Sequence, residues 1–132
     1  MDETPVVIVD RRDFDRLALD VLCRHTPGVR VSASVPSVTD AVHGLERAAG
    51  VVLIGRQLLR VDGPASVARL RAAGARRVIL VGTGTPDALR GEAVRVDADG
   101  VLEREGDGAC LARVLHGELG TVPRWAADAP AV

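Results

Sequence analysis

The stretch Val51–Gly63, VVLIGRQLLRVDG, decides the reading of this chain. Val51 to Ile54 are β-branched or Leu throughout and have glycine on both sides, the pattern of a short strand buried on both faces. Gly55 stands where the strand ends, and Asp62-Gly63 followed by Pro64 marks a turn into a helix that runs to Ala73, with Val67 and Leu70 facing in and Gly74 closing it. A strand buried on both faces needs helices above and below its sheet. The flanking sequence is therefore expected to supply them.

On the N-terminal side, Pro5–Val9 (PVVIV) is a second apolar run, ending in Asp10-Arg11-Arg12. Asp13 to His25 carries Phe14, Leu17, Ala18, Val21 and Leu22 at helical spacing and stops at Pro27-Gly28. Val29–Val35 (VRVSASV) alternates at period two, as an edge strand with one wetter face does. Ser37 caps the next helix, whose stripe is Val38, Ala41, Val42 and Leu45. Downstream, Arg77–Val81 is the fourth strand and Gly82-Thr-Gly-Thr a loop into a weakly patterned helix over Asp87 to Val94. Val101 to Glu103 is a short fifth strand, and Asp107 to Leu119 a last helix with Cys110, Leu111, Val114 and Leu115 on one stripe. Five strands alternating with five helices imply parallel pairing, right-handed crossovers and a doubly wound α/β sheet.

Composition narrows the function classes. The 132 residues are 47% apolar, enough for one core without disulfide staples. Every one of the 17 basic residues is Arg, a codon bias of GC-rich genomes, and they are interspersed among 18 acidic ones for a net charge of -1. That balance gives no basic surface for nucleic acid or an anionic membrane. No apolar run reaches the ~20 residues of a membrane span, and the start lacks a basic signal region, so a cytoplasmic location is expected. Cys23 and Cys110 fit small buried hydrophobes of a reducing compartment. His25, His43 and His116 fall on three different helices without metal spacing. The loop Gly82-Thr-Gly-Thr lacks both the Walker lysine and the dinucleotide-binding spacing, so it reads as an ordinary loop. No catalytic set, cofactor site or nucleophilic triad emerges, and the chain is not expected to be an enzyme.

From about residue 5 to 119 the sequence resembles the receiver domains of bacterial response regulators. Val7-Ile8-Val9-Asp10 matches the strand and first acid of that family's first motif; Asp62-Gly63 and Arg69-Leu70-Arg71-Ala72-Ala73-Gly74 look like its middle, and Ala98-Asp99-Gly100 like the lead into its fifth strand. The resemblance implies the flavodoxin-like (βα)5 arrangement, a doubly wound parallel sheet in strand order 2-1-3-4-5, with the site beyond the carboxyl ends of strands 1 and 3.

At the functional positions the resemblance fails. The phosphoacceptor aspartate is Gly55, the second magnesium-binding acid is Arg11, the hydroxyl residue ending strand 4 is Gly82 with Thr83 one place late, the aromatic switch is Val101, and the lysine is Arg104. Aspartyl phosphorylation needs a carboxylate nucleophile and a divalent cation on oxygen ligands. Gly55 provides no nucleophile, and Arg11 is expected to repel magnesium and pair with Asp10. The degenerate pocket, Asp10, Arg11, Gly55, Gly82, Thr83, Val101 and Arg104, thus implies an atypical, phosphorylation-independent receiver without metal or cofactor.

His116-Gly-Glu-Leu119 and Val122-Pro-Arg124 look like the passage from receiver to linker in NarL/LuxR-type regulators, which divides the chain into a domain over 1–119 and a linker or disordered tail over 120–132. DNA would then be met only through an output domain outside this chain. A homodimer is expected, with Leu111 and Leu115 of the last helix as a self-complementary seam. Small-molecule sensing in the degenerate pocket and a stand-alone interaction domain stay open as alternatives.

Overall fold

The computed structural model describes residues 3–104 and 108–115. Its elements follow in the order β1 (Thr4–Val9), α1 (Asp13–Arg24), β2 (Val29–Val35), α2 (Val38–Arg47), β3 (Gly50–Gly55), a 3₁₀ turn (Arg56–Leu59), α3 (Gly63–Ala73), β4 (Ala75–Gly82), α4 (Pro86–Val96), β5 (Gly100–Glu103) and α5 (Gly108–Leu115). All strand pairs are parallel, in the order β2-β1-β3-β4-β5. This is the flavodoxin-like order, and its reversal between β1 and β3 opens a crevice at their carboxyl ends.

Alternate residues of the central strands feed two cores. Val7, Val9, Val52, Ile54, Val78 and Leu80 pack beneath α2, α3 and α4, while Val6, Ile8, Val51, Leu53, Ile79 and Val81 pack beneath α1 and α5. β3 is buried along its whole length, as its unbroken apolar run requires, whereas edge strand β2 is largely half-buried. Ser37 accepts from the Asp40 N–H at 3.1 Å and caps α2. The weakly patterned fourth helix, expected over Asp87 to Val94, runs from Pro86 to Val96, and Thr85 caps its start by accepting from the Ala88 N–H at 3.2 Å. Asp62-Gly63 has a packing cause: Asp62 takes a left-handed φ of 53°, and a Cβ on Gly63 would lie 2.5 Å from Val96 Cγ1. At the sheet edge remote from the crevice, Asp99 accepts from the Val78 N–H at 2.7 Å and from Arg71 at 2.8 Å, tying β4 to α3.

Two expectations are corrected here. Leu111 and Leu115, proposed above as a dimer seam, are 0% and 5% exposed and sit in the core with Leu19, Cys23 and Leu102. Arg77 donates to the Val114 and Leu115 carbonyls and fastens that end of α5 to β4, so the stripe faces inward. In α1 the stripe is also turned: Leu19 and Cys23 enter the core with Leu22 packed against it, while Phe14, Leu17, Ala18 and Val21 are exposed. The expected end of the last helix at Leu119 and the tail over 120–132 lie outside the described residues, as do the side chain of Cys110 and His116. Among the described residues no helix is long and apolar enough to cross a membrane.

Candidate functional site

The crevice at the sheet's carboxyl edge is a cleft of about 190 Å³ lined by Asp10, Arg12, Asp15, Gly55, Arg56, Gln57, Leu58, Gly82, Thr83 and Arg104. Asp10 leaves the end of β1 and is 5% exposed, one of two buried polar residues among those described. Both of its carboxylate oxygens are engaged. Oδ1 accepts from the Arg12 N–H at 3.0 Å, and Oδ2 accepts from Arg104 at 3.0 Å. The Asp10 carbonyl accepts from Arg16 at 2.9 Å, and its N–H donates to the Val35 carbonyl. A second carboxylate, Asp15, lies 3.8 Å from the Arg104 guanidinium. Arg104 reaches this position because its own N–H continues the β4–β5 ladder, donating to the Gly82 carbonyl at 2.9 Å. A buried carboxylate held by a guanidinium and a main-chain N–H keeps its charge compensated.

At both glycines of the site an added Cβ would press on a neighbouring side chain. Gly55 has an ordinary extended backbone, φ -63° and ψ 133°, that any residue could adopt. A Cβ there would lie 2.6 Å from Asp10 Oδ2 and 3.0 Å from its Cγ. The Asp10 carboxylate thus occupies the space through which a side chain at the end of β3 would enter. At Gly82 a Cβ would meet Arg56 Cδ at 2.6 Å and Leu89 Cδ2 at 3.1 Å. Arg56 crosses over this glycine, donates to the Thr83 carbonyl at 2.5 Å, and pairs with Glu92 of α4. It therefore clasps the loop between β4 and α4.

Of the residues singled out in the sequence, the structure brings Asp10, Gly55, Gly82, Thr83 and Arg104 together as lining of the cleft. Two others, Arg11 and Val101, stand apart from it. Arg11 is exposed and does not line the cleft, and the guanidinium on Asp10 is that of Arg104. The chain turns directly after Asp10 to start α1, so Asp10 caps the Arg12 N–H while Arg11 points outward. Val101, 7% exposed, belongs to the core beneath α4 and stands outside the cleft lining. Asp15 and Arg56 also line the cleft without having been singled out in the sequence, and Arg12, expected as ordinary solvated charge, joins them. The only local signal for Arg56 is the pair Gly82 and Gly84 across from it, where small residues leave room for a long side chain.

Magnesium, which the resemblance implies for a working receiver, does not fit these residues. It demands near-octahedral oxygen ligation, yet both Asp10 oxygens are occupied and the neighbouring lining groups include Arg12, Arg56 and Arg104. Among the described residues no group of three or more His, Cys, Asp or Glu could hold a metal ion.

No protein-family model and no curated protein matches the sequence. Solved structures do match in fold. The receiver domain of the response regulator NarL from Mycobacterium tuberculosis superposes with a TM-score of 0.72 at 19% identity, over 88% of this chain and 96% of that one. A LuxR-family two-component response regulator from Aurantimonas sp. gives 0.72 at 20% identity over 95% and 94%. The RcsB response regulator of Salmonella typhimurium, solved in a study of its DNA interaction, gives 0.67 at 14% identity; 88% of this chain is matched to 58% of that chain. At these identities the likeness establishes the receiver fold.

Proposed function

We propose that this domain is a receiver-type regulatory module that signals without aspartyl phosphorylation, acting on transcription through self-association or partner contact. DNA would be reached through an output domain outside the chain, as the partial coverage of RcsB suggests. One observation carries the reading: at the end of β3 the space for an acceptor side chain is filled by the Asp10 carboxylate, itself pinned by Arg104 and the Arg12 N–H. Asp10 thereby forms an internal ion pair instead of a cation site. The Arg56 clasp on Thr83 and Glu92 supports the same reading, because it holds the loop between β4 and α4 with no phosphoryl group involved.

The experiment is incubation with acetyl phosphate, and separately with beryllofluoride, each with magnesium, followed by intact mass and amide spectra. No adduct and no spectral change are expected; a phosphoryl adduct on Asp10 or Asp62 refutes the proposal. A second reading, an effector bound in the cleft, is favoured by the cleft's mixed lining of Arg12, Arg56 and Arg104 with Asp10 and Asp15. A ligand-dependent rise in melting temperature would support it.

A further inference from the structure

Three guanidinium groups, those of Arg12, Arg56 and Arg104, line the cleft at the carboxyl edge of the sheet, and their N–H donors are only partly used. Arg56 donates through Nη1 to the Thr83 carbonyl and through Nη2 to Glu92, while its Nε is buried without a hydrogen-bond partner. Arg104 donates through Nη2 to Asp10, and its buried Nη1 makes no hydrogen bond, with Asp15 Oδ1 standing off at 3.8 Å. The Arg12 guanidinium enters no salt bridge among the described residues. Buried donors without a partner are costly, and beside a cavity they mark where one belongs.

We propose that the cleft is an anion site, which takes the phosphate or carboxylate group of a small metabolite without forming a covalent bond to it. The unused valences set that sign. Asp10 has both carboxylate oxygens engaged, and Arg56 already has Glu92 as its counter-charge. What stays open is N–H on Arg104 and Arg56 and the guanidinium of Arg12, against the single carboxylate of Asp15. A guanidinium fork fits the paired oxygens of carboxylate and phosphate, so these groups suit an oxyanion better than a neutral or cationic ligand.

Size limits the ligand. The cleft's volume of about 190 Å³ corresponds to roughly six waters at ~30 Å³ each, room for one tetrahedral oxyanion or a short carboxylate chain and too little for a nucleotide. At Gly55 and Gly82 the wall is bare backbone, which leaves that volume to the ligand. Thr83, an exposed residue of the lining, brings a hydroxyl donor to the same cleft.

Occupancy is felt at Asp10. A bound oxyanion shares the Arg104 guanidinium with the Asp10 carboxylate and repels that carboxylate, so binding works against the internal ion pair. Neutralising Asp10 should therefore tighten the site, a sign opposite to that of a cation site, where the same change removes a ligand. Through Arg56 the anion also touches the bonds to Thr83 and Glu92 that hold the loop between β4 and α4. This ligand class rests on the effector reading of the cleft given above, and because nothing covalent is involved it stands or falls apart from the absence of a phosphoryl adduct.

The test is titration of the full 132-residue chain with inorganic phosphate and, separately, succinate, at an ionic strength held constant with sodium chloride and followed by melting temperature and amide spectra. A saturable response is expected, with dissociation constants of about 0.1–10 mM, shifts centred on Gly55, Thr83 and Arg104, and no dependence on magnesium. The tighter of the two probes tells whether a phosphate or a carboxylate is the natural group. Arg12→Gln, a change at an exposed residue, should stay folded by circular dichroism and weaken binding at least about fivefold. Arg104→Gln should weaken it further, and Asp10→Asn should tighten it several-fold. No saturable response to either anion, equal affinity in Arg12→Gln, weaker binding in Asp10→Asn or a requirement for magnesium would overturn the anion site. A response to putrescine in place of both anions would overturn it as well, while leaving an effector in the cleft.

Discussion

Replacing Gly55 by alanine tests the central geometric claim with one methyl group. On backbone grounds the change should help: φ -63° and ψ 133° suit alanine, and removing a glycine from the unfolded chain is worth about 0.4–1 kcal/mol. Against this, the new Cβ would lie 2.6 Å from Asp10 Oδ2, and ordinary contact begins near 3.4 Å. A retreat of about 0.8 Å stretches a hydrogen bond beyond useful length unless its partner can follow. Arg104 is anchored through its own backbone bond to Gly82, and the Arg12 N–H is main chain, so following is restricted. Loss of one hydrogen bond to a charged group costs about 1.5–3 kcal/mol, leaving Gly55→Ala destabilising by a net of about 1–2 kcal/mol. At about 3–5 °C per kcal/mol for a domain of this size, the melting temperature should fall measurably. The decisive comparison is the same substitution on an Asp10→Ala background, where the obstructing carboxylate is gone and Gly55→Ala should become neutral or stabilising. Chemical denaturation of the four proteins in this cycle measures the coupling. If Gly55→Ala stabilises the wild type, or harms both backgrounds equally, the argument that Asp10 fills the acceptor's place is refuted.

Further outcomes follow from the same structure. Arg56→Ala removes the bonds to Thr83 and Glu92, and Gly82→Thr, whose Cβ would strike Arg56 Cδ, should displace the same clasp; both are expected to accelerate amide exchange over residues 83–93 by about tenfold while β1 and β3 stay protected. Unchanged protection of the loop would show that Arg56 does not hold it. Burial, aided by the nearby Asp20, pushes the Cys23 thiol up to about 12 from 9.0. Because the folded value lies above the unfolded one, the stability linked to this thiol is complete below about pH 9 and is lost as the pH rises toward 12. In a Cys110→Ser background the remaining thiol should therefore resist alkylation at pH 8 until the protein unfolds; rapid native-state modification would contradict its burial.

The order and type of the elements were legible in the sequence because each local signal coincided with its tertiary role. Val51–Ile54 reads as a buried strand and is one; Ser37 caps α2; the alternating Val29–Val35 lies at an edge. Such features depend on residue type at short spacing, which the chain states directly. Likewise, the absence of a carboxylate at Gly55 can be read from one letter, whatever the fold does.

What fills the space left by that letter depends on residues far apart in sequence. Arg11 adjoins Asp10 along the chain, yet Arg104, 94 positions away, makes the ion pair, because β5 runs beside β4 and delivers its end to the crevice while the turn into α1 directs Arg11 to solvent. Helical periodicity likewise places Phe14, Leu17, Ala18 and Val21 on one face, and Leu111 with Leu115 on another, without saying which face meets the sheet. The sheet beneath α1 and α5 receives Leu19, Cys23, Leu111 and Leu115, and the sole phenylalanine is left outside. Periodicity is a property of one helix, whereas inside and outside are defined by everything packed against it, and that was decided only by the tertiary structure.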